Sequence, residues 1–124
     1  MIVVVEPGVA IKWFVEEPLR PQARSLLVDG HELIAPDQAA PIVRSIGLPS
    51  FISAFVESTR LRNRALALAL QCGRPVHDCF YAACAEAASA TLVTADETFL
   101  HALRAEGVAI RGVPLARIHE LAVA

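Results

Sequence analysis

The chain has 124 residues, 55% hydrophobic and 19% charged, with 11 basic against 13 acidic side chains and a net charge of -2; its mean hydropathy is +0.49. It is too apolar and too weakly charged to stay disordered, and long enough to bury the core of one domain. The longest uncharged run, Ser45 to Val56, falls short of the roughly 18 residues of a membrane span and holds a glycine and a proline, so no membrane partner is expected.

Met1 passes directly into Ile2-Val3-Val4-Val5, with neither a basic leader region nor a small-residue cleavage pattern, which points to a cytoplasmic protein. That β-branched run without polar alternation suits a central strand buried on both faces of a parallel sheet. Pro7-Gly8 breaks it, and residues 9–15 predict a short helix. A second helix is expected over 21–28, closed by Asp29-Gly30, then a strand at 33–35. Pro36-Asp37 opens a helix over 38–46, residues 47–50 connect, and 51–56 read as a strand. Residues 58–72 predict a helix ended by Gly73. Pro75 then introduces a small-residue helix over 78–90. A buried strand at 91–94, a helix over 97–105 stopped by Gly107, a strand at 108–110 and a helical tail from Pro114 complete the pattern. Strands alternating with helices predict a parallel sheet covered on both faces.

Ten of the basic residues are arginine, Lys12 being the exception, and the aspartates are Asp29, Asp37, Asp78 and Asp96. Bulk charge does not argue for a nucleic-acid partner. Cys72, Cys79 and Cys84 lack the spacing of a zinc site or a disulfide framework. Cys79 and Cys84 read as small core residues inside an apolar helix.

In open parallel sheets, ligands bind beyond the carboxyl ends of the strands, near a switch in strand order. Glu6 follows the first strand, Asp96 follows residues 91–94 by one alanine, and Asp78 opens a long helix. Three carboxylates converging there repel one another unless a cation lies between them, and hard oxygen donors favour Mg²⁺ or Mn²⁺. The corresponding chemistry is metal-assisted phosphoryl hydrolysis. Each acid also has a plainer local reading. Asp78 and Asp96 suit helix N-termini, and Glu6 suits a solvated turn.

Met1 to Phe14, with V-A-I-K-W-F after the first strand, resembles the opening of a PIN domain, the fold of VapC-type toxin ribonucleases. G-R-P-V-H-D-C-F-Y-A-A-C-A-E-A (Gly73 to Ala87) and A-T-L-V-T-A-D-E-T-F-L (Ala90 to Leu100) resemble the second and third signatures of that family. The resemblance spans nearly the whole chain. It implies a three-layer α/β/α sandwich with a central parallel sheet and a Mg²⁺-dependent endoribonuclease, with Mn²⁺ as an alternative metal. A homodimer and a cognate VapB-type antitoxin are also implied. Residue by residue, the metal-binding and catalytic acids fall on Glu6, Asp78 and Asp96, and a supporting hydroxyl falls on Thr94. Arg60, Arg62, Arg64 and Arg74 form a basic cluster suited to RNA phosphates or to a solvated helix face. Trp13, Phe14 and Val15 suit either the core or the antitoxin contact.

Two departures qualify the resemblance. The family reads D-A-S or D-T-N where this chain has Glu6-Pro7-Gly8, which moves the carboxylate and removes a hydroxyl. Asp37 also runs directly into Gln38-Ala39-Ala40-Pro41-Ile42-Val43-Arg44, where a helix of roughly twenty residues, about five turns, carrying a further acidic ligand, is expected. Ile42 occupies the nominal spacing of that acid and cannot bind a metal. Either the toxin is degenerate, or a segment belongs between residues 37 and 38. In the second case their Cα atoms would lie well beyond the roughly 3.8 Å of consecutive residues. The competing functions are a catalytically degenerate scaffold that binds antitoxin or RNA, and an unrelated α/β domain with a small-molecule pocket away from the acids.

Overall fold

A computed structural model of the chain describes residues 1–45 and 51–122, without the side chains of Ile42, Val43 and Ala122. Five parallel strands form one sheet: β1 (Ile2–Val5), β2 (Glu32–Pro36), β3 (Ala54–Val56), β4 (Thr91–Thr94) and β5 (Arg111–Pro114), in spatial order β3-β2-β1-β4-β5. With the helices this makes a three-layer α/β/α arrangement. Val3, Val4 and Val5 are buried, as a β-branched run in a central strand requires. The chain builds outward from β1 to β3, then returns to place β4 on the other side of β1. The switch in strand order therefore lies between β1 and β4.

The helices are α1 (Pro7–Ala10), α2 (Arg20–Val28), α3 (Ala40–Ser45), α4 (Ser58–Cys72), α5 (Val76–Ala88) and α6 (Glu97–Ala105). The helix expected over 9–15 is instead α1 followed by a 3-10 turn, Ile11–Trp13, with no side-chain cap at its start. Pro7 fixes φ for a helix start, so the helix begins two residues early. Trp13 turns into the core: it is buried, its Nε1 donates to the Ala23 carbonyl at 2.9 Å, and its ring meets Phe51 edge-on. Only Phe14 and Val15 of the expected contact trio remain accessible.

The chain runs through residues 37 and 38 in a single 3-10 turn, Asp37–Ala39, whose end is closed by the Ala40 N–H donating to the Asp37 carbonyl. Asp37 Oδ1 accepts from the Ser58 N–H at 3.1 Å and from its hydroxyl, tying the end of β2 to the start of α4. The expected end of the 38–46 helix and the 47–50 connection lie outside the described residues. β3 is shorter than the 51–56 run, pairing with β2 only over Ala54–Val56.

α4 and α5 form an antiparallel pair joined by 73–75. Gly73, at φ 65°, ends α4 in the left-handed conformation that glycine adopts without penalty. Cys79 and Cys84 are fully buried on α5, and burial pushes both thiols up to about 11, as unreactive core residues. The last strand falls at 111–114 and not at 108–110. Val108 donates its N–H to the Leu103 carbonyl in closing α6, and Ile110 donates to Val108 in a tight turn, so helix closure and the turn consume donors a strand there would need. The tail, Leu115–Ala122, is a 3-10 segment kinked at Arg117. Among the described residues no helix is long and apolar enough to cross a membrane.

Candidate acidic active site

β1 and β4 pair in register, Val5 opposite Val93, so the residues that leave their carboxyl ends are neighbours. Glu6 is the first residue beyond β1. Asp96 is the second beyond β4 and caps α6, its Oδ1 accepting from the Phe99 N–H at 3.1 Å. Thr94, fully buried, accepts from the Asp96 N–H at 3.0 Å, and its hydroxyl favours the ionised form of Glu6. This threonine therefore holds the backbone that carries Asp96. Asp78 stands in the first turn of α5, whose N-terminus is favourable for a carboxylate. The capping reading of Asp96 is realised on Oδ1, while Oδ2 pairs with Arg74.

Arg74 ties the cluster together. One terminal nitrogen lies 2.6 Å from Asp96 Oδ2 and 3.5 Å from Asp78 Oδ2, and its guanidinium sits 5.5 Å from the centre of the Phe99 ring. Burial pushes the Glu6 carboxyl up to about 7. The Thr94 hydroxyl opposes that shift, the charges of Asp78 and Asp96 add to it, and Arg74 offsets part of it. Glu6 thus lies within the electrostatic reach of both Asp78 and Asp96. Tyr81, one turn beyond Asp78 on the same helix face, is buried beside them. Its phenol is raised by burial first, then by Glu6, Cys84 and Asp78. Three buried polar atoms here have no hydrogen-bond partner among the described residues: Glu6 Oε1, Tyr81 Oη and Arg74 Nε.

The four arginines expected to form one cluster do not. Gly73 turns the chain off α4, so Arg74 enters the acidic site. Arg64 remains on α4 and pairs through both ends of its fork with Glu86, at 2.7 and 3.0 Å. Glu86 is eight residues beyond Asp78 on α5, an axial distance of about 12 Å. Arg60 lies beside Ala87 and Ala88, and Arg62 is exposed on α4. The α4 arginines therefore lie towards the far end of α5 from the acids. Sequence reasoning missed the roles of Arg74 and Tyr81, although spacings of four residues before and three after Asp78 carry a signal for both. His77, exposed, contacts Gln38 through Nδ1 at 3.3 Å and lies edge-on to Tyr81.

No protein-family model and no curated protein matches this chain.

The donor chemistry of Glu6, Asp78 and Asp96 fits a hard divalent cation, and the unpartnered buried Glu6 oxygen is an atom such an ion would satisfy. As the side chains stand, no three acids, histidines or cysteines among the described residues are close enough to share a metal. Arg74 holds two of the required oxygens.

Other clefts lie away from the acids. One of about 460 Å³ is lined by Glu97, His101, Arg104, Pro114 and Arg117. Arg117 there is paired with Glu97 and Glu120, and Arg104 donates to the Gly112 carbonyl. Its charged groups are thus engaged with the protein, where a small-molecule pocket would turn them towards a ligand.

Proposed function

We propose that this chain is a PIN-class, Mg²⁺-dependent endoribonuclease of the VapC toxin type, restrained by a cognate VapB-type antitoxin. The observation that carries the reading is that Glu6 and Asp96 leave neighbouring strand ends where the strand order switches between β1 and β4, with Asp78 joined to Asp96 through Arg74. Glu6, Asp78 and Asp96 would hold the ion. A bound divalent cation supplies Lewis acidity, polarising the scissile phosphate and lowering the pKa of water. The protein's own part is to fix the acids. The α6 cap and Thr94 hold Asp96, and the first turn of α5 presents Asp78. Arg60 and Arg62, exposed on α4, are available to RNA phosphates away from the acids. Ile11, Phe14 and Val15 leave apolar surface exposed after β1, suited to the apolar face of an antitoxin helix. A homodimer belongs to the same proposal.

The second reading, a scaffold that binds RNA or antitoxin without cleaving, is favoured by Arg74 on Asp78 and Asp96 and by a Glu6 that holds its proton to about pH 7. It is favoured too by the lack of a further acid between Asp37 and Ser45. The two readings separate on purified protein incubated with RNA in Mg²⁺ or Mn²⁺ and in EDTA. Cleavage that needs the metal and is abolished by Asp96→Asn and by Asp78→Asn supports the nuclease. Intact RNA at saturating metal, with RNA or antitoxin still bound, supports the scaffold.

A further inference from the structure

The acidic crevice carries a cation of its own. Arg74 reaches it from the turn after α4, four residues before Asp78, and spends one terminal nitrogen on both Asp78 and Asp96. A guanidinium built as a permanent ion-pair partner uses its fork, with two parallel N–H groups on one carboxylate. Arg64 does so on Glu86 in this same chain. Arg74 does not: its Nε is buried and unpartnered, while Glu6 Oε1 in the same cluster is a buried acceptor without a donor. The crevice thus holds an arginine whose single charge is shared between two aspartates and whose Nε makes no hydrogen bond among the described residues. The side chain is 23% exposed, so it has a path to solvent along the rim.

We infer that Arg74 is a resident counter-cation that competes with a divalent ion for Asp78 and Asp96, so that metal loading requires its guanidinium to leave and Arg74 sets the metal affinity of the site. The inference rests on the metal-dependent reading above. Its physical basis is mutual exclusion. A guanidinium and a divalent ion on the same two carboxylate oxygens repel each other, and each is stabilised by the charge the other would neutralise. The coupling is reciprocal, so removing Arg74 strengthens metal binding and adding metal frees Arg74.

Arg74→Met keeps an unbranched apolar side chain and removes the guanidinium that sits over Phe99. Mn²⁺ binding is measured by the loss of the free-ion electron paramagnetic resonance signal, without RNA, on wild type and variant. The variant is expected to bind at least about tenfold more tightly. In wild-type protein, Mg²⁺ is expected to accelerate solvent exchange of the Arg74 Nε–H seen by ¹⁵N nuclear magnetic resonance, a readout that does not depend on the variant folding. Equal or weaker Mn²⁺ binding by a folded variant overturns the inference, as does an Arg74 Nε–H unchanged at saturating Mg²⁺. Either result leaves the nuclease reading standing, whereas failure of metal-loaded wild type to cleave RNA removes that reading alone. No metal binding by either protein overturns both.

Discussion

A Glu6→Gln variant keeps the size of the side chain and removes its titration. In the folded chain burial lifts this carboxyl from 4.5 to about 7; Thr94 and Arg74 oppose the shift, and Asp78 and Asp96 reinforce it. At about 1.4 kcal/mol per pH unit, ionising Glu6 costs about 3 kcal/mol more in the folded chain than in the unfolded one. The unfolded carboxyl releases its proton near pH 4.5 and the folded one near pH 7, so the folded state binds more protons in between. Stability attributable to this group is therefore present below pH 4.5 and is lost as pH rises through 7. Glutamine has no such loss. In EDTA at pH 8 the variant is expected to be about 3 kcal/mol more stable than wild type, and at pH 4 the two should agree within about 0.5 kcal/mol. Urea unfolding followed by fluorescence of Trp13, the only tryptophan, measures both, because its buried ring is exposed on unfolding. A difference that does not change with pH, or a variant less stable at pH 8, would refute the burial argument.

Asp96→Ala removes both the α6 cap and the Arg74 partner, and should cost about 1 kcal/mol for the cap alone. Asp96→Asn keeps an acceptor for the Phe99 N–H, so a comparison of urea midpoints should place Asn closer to wild type, while RNA cleavage is lost in both. Gly112→Ala would put a methyl group 2.4 Å from Leu100 Cδ2, and Leu100 is itself buried. Overpacking of about 1–3 kcal/mol is expected in chemical denaturation. Ser89 ends α5 at φ 51°, a conformation glycine adopts more readily, so Ser89→Gly should raise stability by about 0.5–1 kcal/mol in the same assay. No gain there would mean that the serine side chain offsets its backbone strain.

The elements that sequence reading places well are those whose signals act over a few residues. Val3 to Val5 specify a buried strand because β-branched side chains suit a pleated surface on either face. Gly73 and Gly107 mark helix ends through their own φ, and Asp96 marks a helix start through a hydrogen bond three residues long. The errors lie where a segment's fate depends on what it meets. Residues 108–110 are apolar enough for a strand, but the Val108 N–H turns back onto α6 and the Ile110 N–H onto Val108, and the sheet instead takes 111–114, where Gly112 leaves room for Leu100. Trp13 is an ambiguous aromatic in the sequence, and only the Ala23 carbonyl and the Phe51 ring assign it to the core.

For the site the division is similar. Residue type and position after a strand were enough to single out Glu6, Asp78 and Asp96, since a carboxylate at a strand end or helix start reflects local backbone geometry. The sequence by itself thus determined an α/β chain with acids at the sheet's carboxyl edge. Only the tertiary structure decided that β4 returns beside β1, bringing Glu6 next to Asp96. It alone separated Arg74 from the arginines of α4 and placed it among the acids. Ion pairing acts between groups brought together by long-range strand pairing, and no short-range signal records which charge will face which.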